Sequence, residues 1–274
     1  MAITELSIIL LIVLVVVVGY SYPGWRDRRI VARPFPDAWQ QHLVRAVPYM
    51  NRLAPGEQQQ LRDNIQRFLA HKTFHGCGGQ VITDEIRITI AAQACLLLLN
   101  RRTAVYPRLK HILVYPDAFV SNLGHEENDD GIVDIEDHGH GLLGESWHYG
   151  KVILSWDDVR HGAANIHDGH NVVLHEFSHQ LDSESGSANG APVMHGGNYT
   201  AWAQILSEEF EELNEDFHHH HESVMDYYGA TNPAEFFAVA TETFFEKPHQ
   251  LRKRHAELFE VLREYYAVDP TAWQ

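Results

Sequence analysis

From Leu6 to Tyr22 the chain is almost unbroken apolar, and no polar side chain interrupts Ile8 to Val18. Wound as a helix, this stretch spans about 26 Å, slightly short of the roughly 30 Å hydrocarbon core of a bilayer. The preceding Met1-Ala2-Ile3-Thr4-Glu5 carries a negative side chain, unlike the positive start of a secretory leader. Arg26, Arg28, Arg29 and Arg33 follow the span. The positive-inside rule therefore predicts a single-pass membrane anchor over residues 1–24, with the rest of the chain on the cytoplasmic side. A Val-rich run can also fold as a buried helix or strand.

Beyond it the apolar positions recur in shorter patterns. Phe35-Pro36-Asp37 opens a predicted helix to Leu53, and Ala54-Pro55-Gly56 turns the chain into a second helix to about Lys72. On that second helix Leu61, Ile65, Phe68 and Leu69 share one face. Gly76, Gly78 and Gly79 end the pattern. Asp84 is placed to cap a helix through Leu99, whose apolar run is too short to cross a bilayer and reads as core. Ile112–Tyr115 and Lys151–Trp156 read as strands. Between them Ser121–Gly150 is rich in Gly, Asp, Glu and His, the composition of a long surface loop. Its acids Glu126, Glu127, Asp129 and Asp130 lack calcium-loop spacing and are expected in solvent. The predicted organisation is an anchor at 1–24, a helical part at 25–75 and a mixed α+β domain at 76–274.

Composition narrows the function. The 274 residues include 21 Lys+Arg and 37 Asp+Glu, a formal net charge of −16. That balance argues against nucleic-acid binding, which needs clustered cations to displace phosphate counterions. Two cysteines, Cys77 and Cys95, exclude a disulfide framework and most cysteine-based metal clusters. The 20 histidines are the anomaly.

The histidines with chemical spacing are in His175-Glu176-Phe177-Ser178-His179, after the apolar Val172, Val173 and Leu174. Positions i and i+4 share a helix face, so both imidazoles can reach one ion. Glu176, beside the first ligand, can take a proton from a metal-bound water. A catalytic zinc needs a third protein ligand. Asp182 is too close along the helix to be an easy ligand; it can orient an imidazole or simply end the helix before Ser183–Gly190. Glu235 follows Asn232-Pro233, a helix start, on a segment made strongly apolar by Phe236, Phe237, Val239, Ala240 and Phe244. A carboxylate on the buried side of such a helix needs a cation. Glu235 also has capping-box spacing from Asn232, and Glu242 and the Glu208–Glu215 cluster are rivals. The residue pattern alone leaves the third ligand open. The remaining histidines, including His138, His140, His148, His161, His167, His170 and His195, show no second metal spacing.

Together, His175–Asp182 (H-E-F-S-H-Q-L-D) and Tyr228–Phe237 (Y-G-A-T-N-P-A-E-F-F) resemble the peptidases of the Mlc titration factor A family. The second stretch is also similar to the catalytic domain of anthrax toxin lethal factor. Further similarity at Ile82–Leu99 and Lys151–Val159 extends the likeness over most of the chain after about residue 30. The resemblance implies a zincin-like α+β domain, predominantly helical with a small sheet. It implies one catalytic Zn2+ on His175, His179 and Glu235, with Glu176 as general base. Tyr228, otherwise a packing aromatic beside Tyr227, becomes the stabiliser of the tetrahedral oxyanion. The resemblance further implies a cytoplasmic, aminopeptidase-like enzyme acting on peptide or protein substrates and binding a sugar-responsive transcription repressor. Two features depart from it. A membrane anchor would restrict repressor titration, and His218–His221 looks like an addition to a helix–helix connection, expected in solvent. The expected function is a zinc peptidase. The alternatives are a regulator-binding scaffold and a metal-handling protein.

Overall fold

The computed structural model describes residues 24–101, 103–117, 150–194 and 199–273. The apolar run Leu6–Tyr22 lies outside the described residues, as do Glu126, Glu127, Asp129, Asp130, His138, His140, His148 and His195. Among the described residues no helix is long and apolar enough to cross a membrane.

The chain passes through α1 (24–31), α2 (Asp37–Ala46), α3 (Pro55–His71), β1 (Thr73–Gly76), α4 (Asp84–Leu96), β2 (His111–Tyr115) and β3 (Lys151–Ser155). It continues through α5 (Trp156–Ala164), α6 (Val172–Asp182), α7 (Tyr199–His219), α8 (Pro233–Glu246), α9 (Pro248–Arg254) and α10 (Ala256–Tyr266). The described strands form one parallel sheet in the order β1-β2-β3, with Thr73 opposite His111 and His111 opposite Lys151. Parallel strands need a crossover, and α4 lies in the one from β1 to β2. Mostly helical with a small sheet, the architecture agrees with the α+β expectation.

Several boundaries differ from the periodicity. The helix expected to Leu53 stops at Ala46, because Pro48 disfavours helical geometry at Val47 (φ −132°, ψ 80°). Met50–Arg52 follows as a 3-10 turn. Thr83, not Asp84, caps α4, its hydroxyl accepting the Ile86 N–H. Trp156 opens α5 instead of ending β3, since the Ser155 side chain accepts the Asp158 N–H and so starts a helix. β1 was hidden among its glycines: only Phe74 among its residues is even half-buried, so it carries little hydrophobic signal. α7 extends to His219, so the His218–His221 tract straddles a helix end.

Three helices form the centre. α4 buries every residue from Ile88 to Leu96, α6 from Val173 to Asp182 and α8 from Ala234 to Glu246. Over these stretches the helices have no solvent face, and their polar side chains are buried with the apolar ones. Phe177 sets the depth of α6: its ring packs 5.7 Å from Phe68 on α3 and 4.8 Å from Tyr106. Trp202 on α7 stands 5.8 Å from Phe237 and holds α8 from the other side. Polar side chains on α6 and α8 are thus carried into the buried core.

Candidate metal centre

Asn171 decides where α6 begins. Its Oδ1 accepts the N–H groups of Val173 and Leu174, each at 3.1 Å. His175 then falls in the second turn, with His179 one turn further on the same face. Asn232 repeats the device on α8, accepting from Ala234 (2.9 Å) and Glu235 (3.1 Å), with Pro233 in the first turn. With the helix start satisfied by Asn232, the Glu235 carboxylate turns to the imidazoles.

His175 Nε2 lies 2.9 Å from Glu235 Oε2, His179 Nε2 lies 3.3 Å from the same oxygen, and the two Nε2 atoms are 3.2 Å apart. His179 is fully buried, and the His175 and Glu235 side chains are 5% and 10% exposed. Behind His175, Glu242 Oε1 is 2.8 Å from Nδ1. If Nδ1 donates to Glu242, a neutral His175 presents a lone pair at Nε2 toward a carboxylate. Three acceptor atoms then converge without a positive charge.

The local electrostatics register that demand. Burial pulls the His175 pKa down, yet hydrogen bonds to Glu235 and Glu242 and the nearby charge of Glu176 raise it to about 10. For Glu235, burial works to raise the value, and the bonds from His175 and His179 hold it well below the carboxylate range. Without a metal, a proton fills the need. A tetrahedral zinc with bonds of about 2.0–2.2 Å holds its donors about 3.3–3.6 Å apart. The observed triangle is already close to that size, so the residues fit a metal ion.

The structure thus brings His175, His179 and Glu235 together and sends the rival Glu242 to the far side of an imidazole. Glu176 is buried next to His175 on α6. Tyr228 lies in the 3-10 turn Tyr227–Ala230, its ring centre 5.9 Å from that of His175. Asp226 caps this turn by accepting the Tyr228 N–H at 2.7 Å. Gly229 lets the turn press against its neighbours: a Cβ there would lie 3.1 Å from Leu213 on α7 and 3.2 Å from Val239 on α8. Asp182 is fully buried, and its Oδ2 accepts the Gly190 N–H at 2.7 Å. Gly190 in turn abuts the Pro233 carbonyl, where a side chain would collide at 2.6 Å, so Asp182 ties the end of α6 to the start of α8.

The sequence reasoning missed the lock behind the ligands. Glu242 Oε2 accepts the Asn171 N–H. Glu246, one turn on, accepts from Asn171 Nδ2 and the Gly169 N–H, both at 3.0 Å. Asn171 before an apolar run was a readable cap signal. Glu242 and Glu246, four residues apart, were readable as one helix face, but their target was not.

A model of the glucose-regulated metallo-peptidases M90 matches residues 22–267. The chain belongs to that family. A protein of Synechocystis sp., slr2042, is 43% identical over 269 residues, covering 96% of this chain and 97% of its own. Mlc titration factor A of Serratia proteamaculans is 32% identical over 239 residues, 85% of this chain and 88% of the relative. Mlc titration factor A of Klebsiella pneumoniae is 31% identical over 237 residues, 85% and 86% respectively. M90 membership makes the chain a member of a metallopeptidase family, and the His175–His179–Glu235 triangle is its candidate metal centre.

Proposed function

We propose that this protein is a zinc-dependent peptidase in which His175, His179 and Glu235 hold the ion. The observation that carries the reading is the buried triangle of three donor atoms at 2.9, 3.2 and 3.3 Å in an M90 chain. Zinc, when bound, supplies a hydroxide-forming water at neutral pH and polarises a carbonyl. Glu176 would accept a proton from the attacking water at its carboxylate and return it to the leaving amine. Tyr228 donates its phenolic hydrogen to the oxyanion. Glu242 holds the His175 ring in place through Nδ1 and keeps Nε2 free to ligate. β3, last in the order of the described sheet, offers backbone groups to an extended peptide. We extend the reading to aminopeptidase-like cleavage, as the resemblance implies, and to a single-pass anchor at 1–24 that holds the catalytic domain in the cytoplasm.

Zinc analysis and a peptide assay on the parent chain and Glu235→Ala test the ligand set. The expected result is a tightly held ion and hydrolysis in the parent, with both lost in the variant. Hydrolysis at the parental rate in Glu235→Ala overturns the assignment.

The names of the two Mlc titration factor A relatives favour a second reading, in which the chain sequesters an Mlc-like transcriptional regulator and peptidase activity is secondary. Regulator binding that survives Glu176→Gln, with the phenotype following binding and not turnover, supports it.

A further inference from the structure

A second group of ligating side chains stands where α7 meets the junction of α9 and α10. His255 is fixed by both flanking helices: its N–H donates to the Leu251 carbonyl at 2.7 Å, and its own carbonyl accepts the Phe259 N–H at 2.9 Å. Its side chain is only 8% exposed, and Nδ1 lies 2.6 Å from Oε2 of Glu209, itself 13% exposed. Glu212 is three residues further along α7, on the same face. One ligand atom each from Glu209, Glu212 and His255 lie within 4.8 Å of one another.

The construction parallels the M90 centre. There, too, a buried imidazole meets a carboxylate at hydrogen-bond distance, with a third donor alongside. In both places the ligands come from separate elements of the chain, so the donor set exists only in the folded protein. An ion pair with Glu209 satisfies His255 but accounts for one carboxylate only. Glu212 brings a second negative charge to the same point and raises the donor count to three. The hydrogen bond to Glu209 holds the His255 imidazole above its ordinary range, against the opposing effect of burial.

We infer that Glu209, Glu212 and His255 form a second divalent-cation site, one that takes zinc or a similar first-row ion through one imidazole and two carboxylates. Imidazole selects for such ions, and two carboxylates balance the charge of a dication. The more exposed Glu212 leaves room for water to complete the shell. Bound there, the ion braces α7 against the α9–α10 junction, and α7 also packs on the turn that carries Tyr228. The site is structural, and it is separate from the reaction.

The test is zinc stoichiometry of the full-length chain in mild detergent, by equilibrium dialysis against buffered zinc. His218, His219, His220 and His221 are replaced by serine in every sample, so that the tract contributes nothing. Two ions per chain are expected. Glu235→Ala loses one, the combined Glu209→Gln and Glu212→Gln variant loses the other, and adding all three changes leaves none. These glutamines preserve side-chain shape at the edge of the core, whereas His255→Ala would remove a group that joins two helices. In the Glu235→Ala background zinc raises the Tm, and the glutamine pair abolishes that rise. One ion per chain in the parent that Glu235→Ala removes and the glutamine pair keeps overturns the inference, as does retention of both ions by the glutamine pair. One ion per chain in the parent that the glutamine pair removes and Glu235→Ala keeps would fail the ligand set proposed above without touching this one.

Discussion

Two histidine-rich regions of this molecule look alike in composition and differ in everything that makes chemistry. His175 and His179 lie on a buried helix, within 3.3 Å of a carboxylate from another buried helix. His218–His221 lie at the solvent end of α7, where His221 is 65% exposed and pairs with Asp216, five residues before it on the same segment. Water screens the second group, whose contacts are with neighbours on its own segment: His219 with the Glu215 carbonyl and His221 with Asp216. The first group is buried, so its charge must be met by named partners. Histidine density does not mark a site; burial with convergent carboxylates does.

The largest expected effect breaks the chemistry and leaves the architecture. Glu176→Gln is expected to lower peptide turnover by about 10²–10⁴-fold, the usual contribution of a general base. Metal content should be unchanged, and an unchanged rate would remove Glu176 from that role. Glu242→Gln tests the layer behind the ligands. A glutamine has one acceptor for two donors, the His175 Nδ1–H and the Asn171 N–H, so metal affinity should fall by about 10–100-fold in a chelator competition. Equal affinity would mean that helix position alone orients the ring.

A smaller effect concerns Glu246. Burial raises its pKa; the Asn171 hydrogen bond opposes this, and the charges of Glu242 and Asp168 add to it, giving about 8 against an ordinary 4.5. A folded value above the unfolded one means that its contribution to stability is intact at low pH and lost as pH rises through about 8. The Tm of the parent should therefore drop more steeply from pH 5 to 8 than that of Glu246→Gln. Parallel curves would show that Glu246 is ionised throughout. Last, replacing His218–His221 with serine should change stability by less than about 0.5 kcal/mol and leave hydrolysis unaltered. A substantial loss of either would contradict the contrast between the two regions.

Much of the centre was legible because it is written locally. His175 and His179 share a face by helical period, Asn232-Pro233 announces the start of α8, and the strongly apolar segment after it announces burial. The less legible features depended on contacts across the fold. β1 carried no apolar alternation, and Thr83 competed with Asp84 one residue away for the same cap. Glu242 read as well as a ligand as Glu235 did, since seven residues return nearly to the same helix face.

The sequence by itself determined that the segments carrying the ligands are helical and buried, where α8 starts and which side chains on them can ligate. Those properties follow from hydrophobic period and capping, each set within a few residues of chain. Only the tertiary structure decided the division of labour among the carboxylates. Glu235 meets the ligand side of His175, Glu242 its far side, Glu246 the cap of the metal helix, and Glu209 a histidine on another element. Spacing along one helix says nothing of the depth and rotation at which it packs against the next, and those two quantities choose each partner.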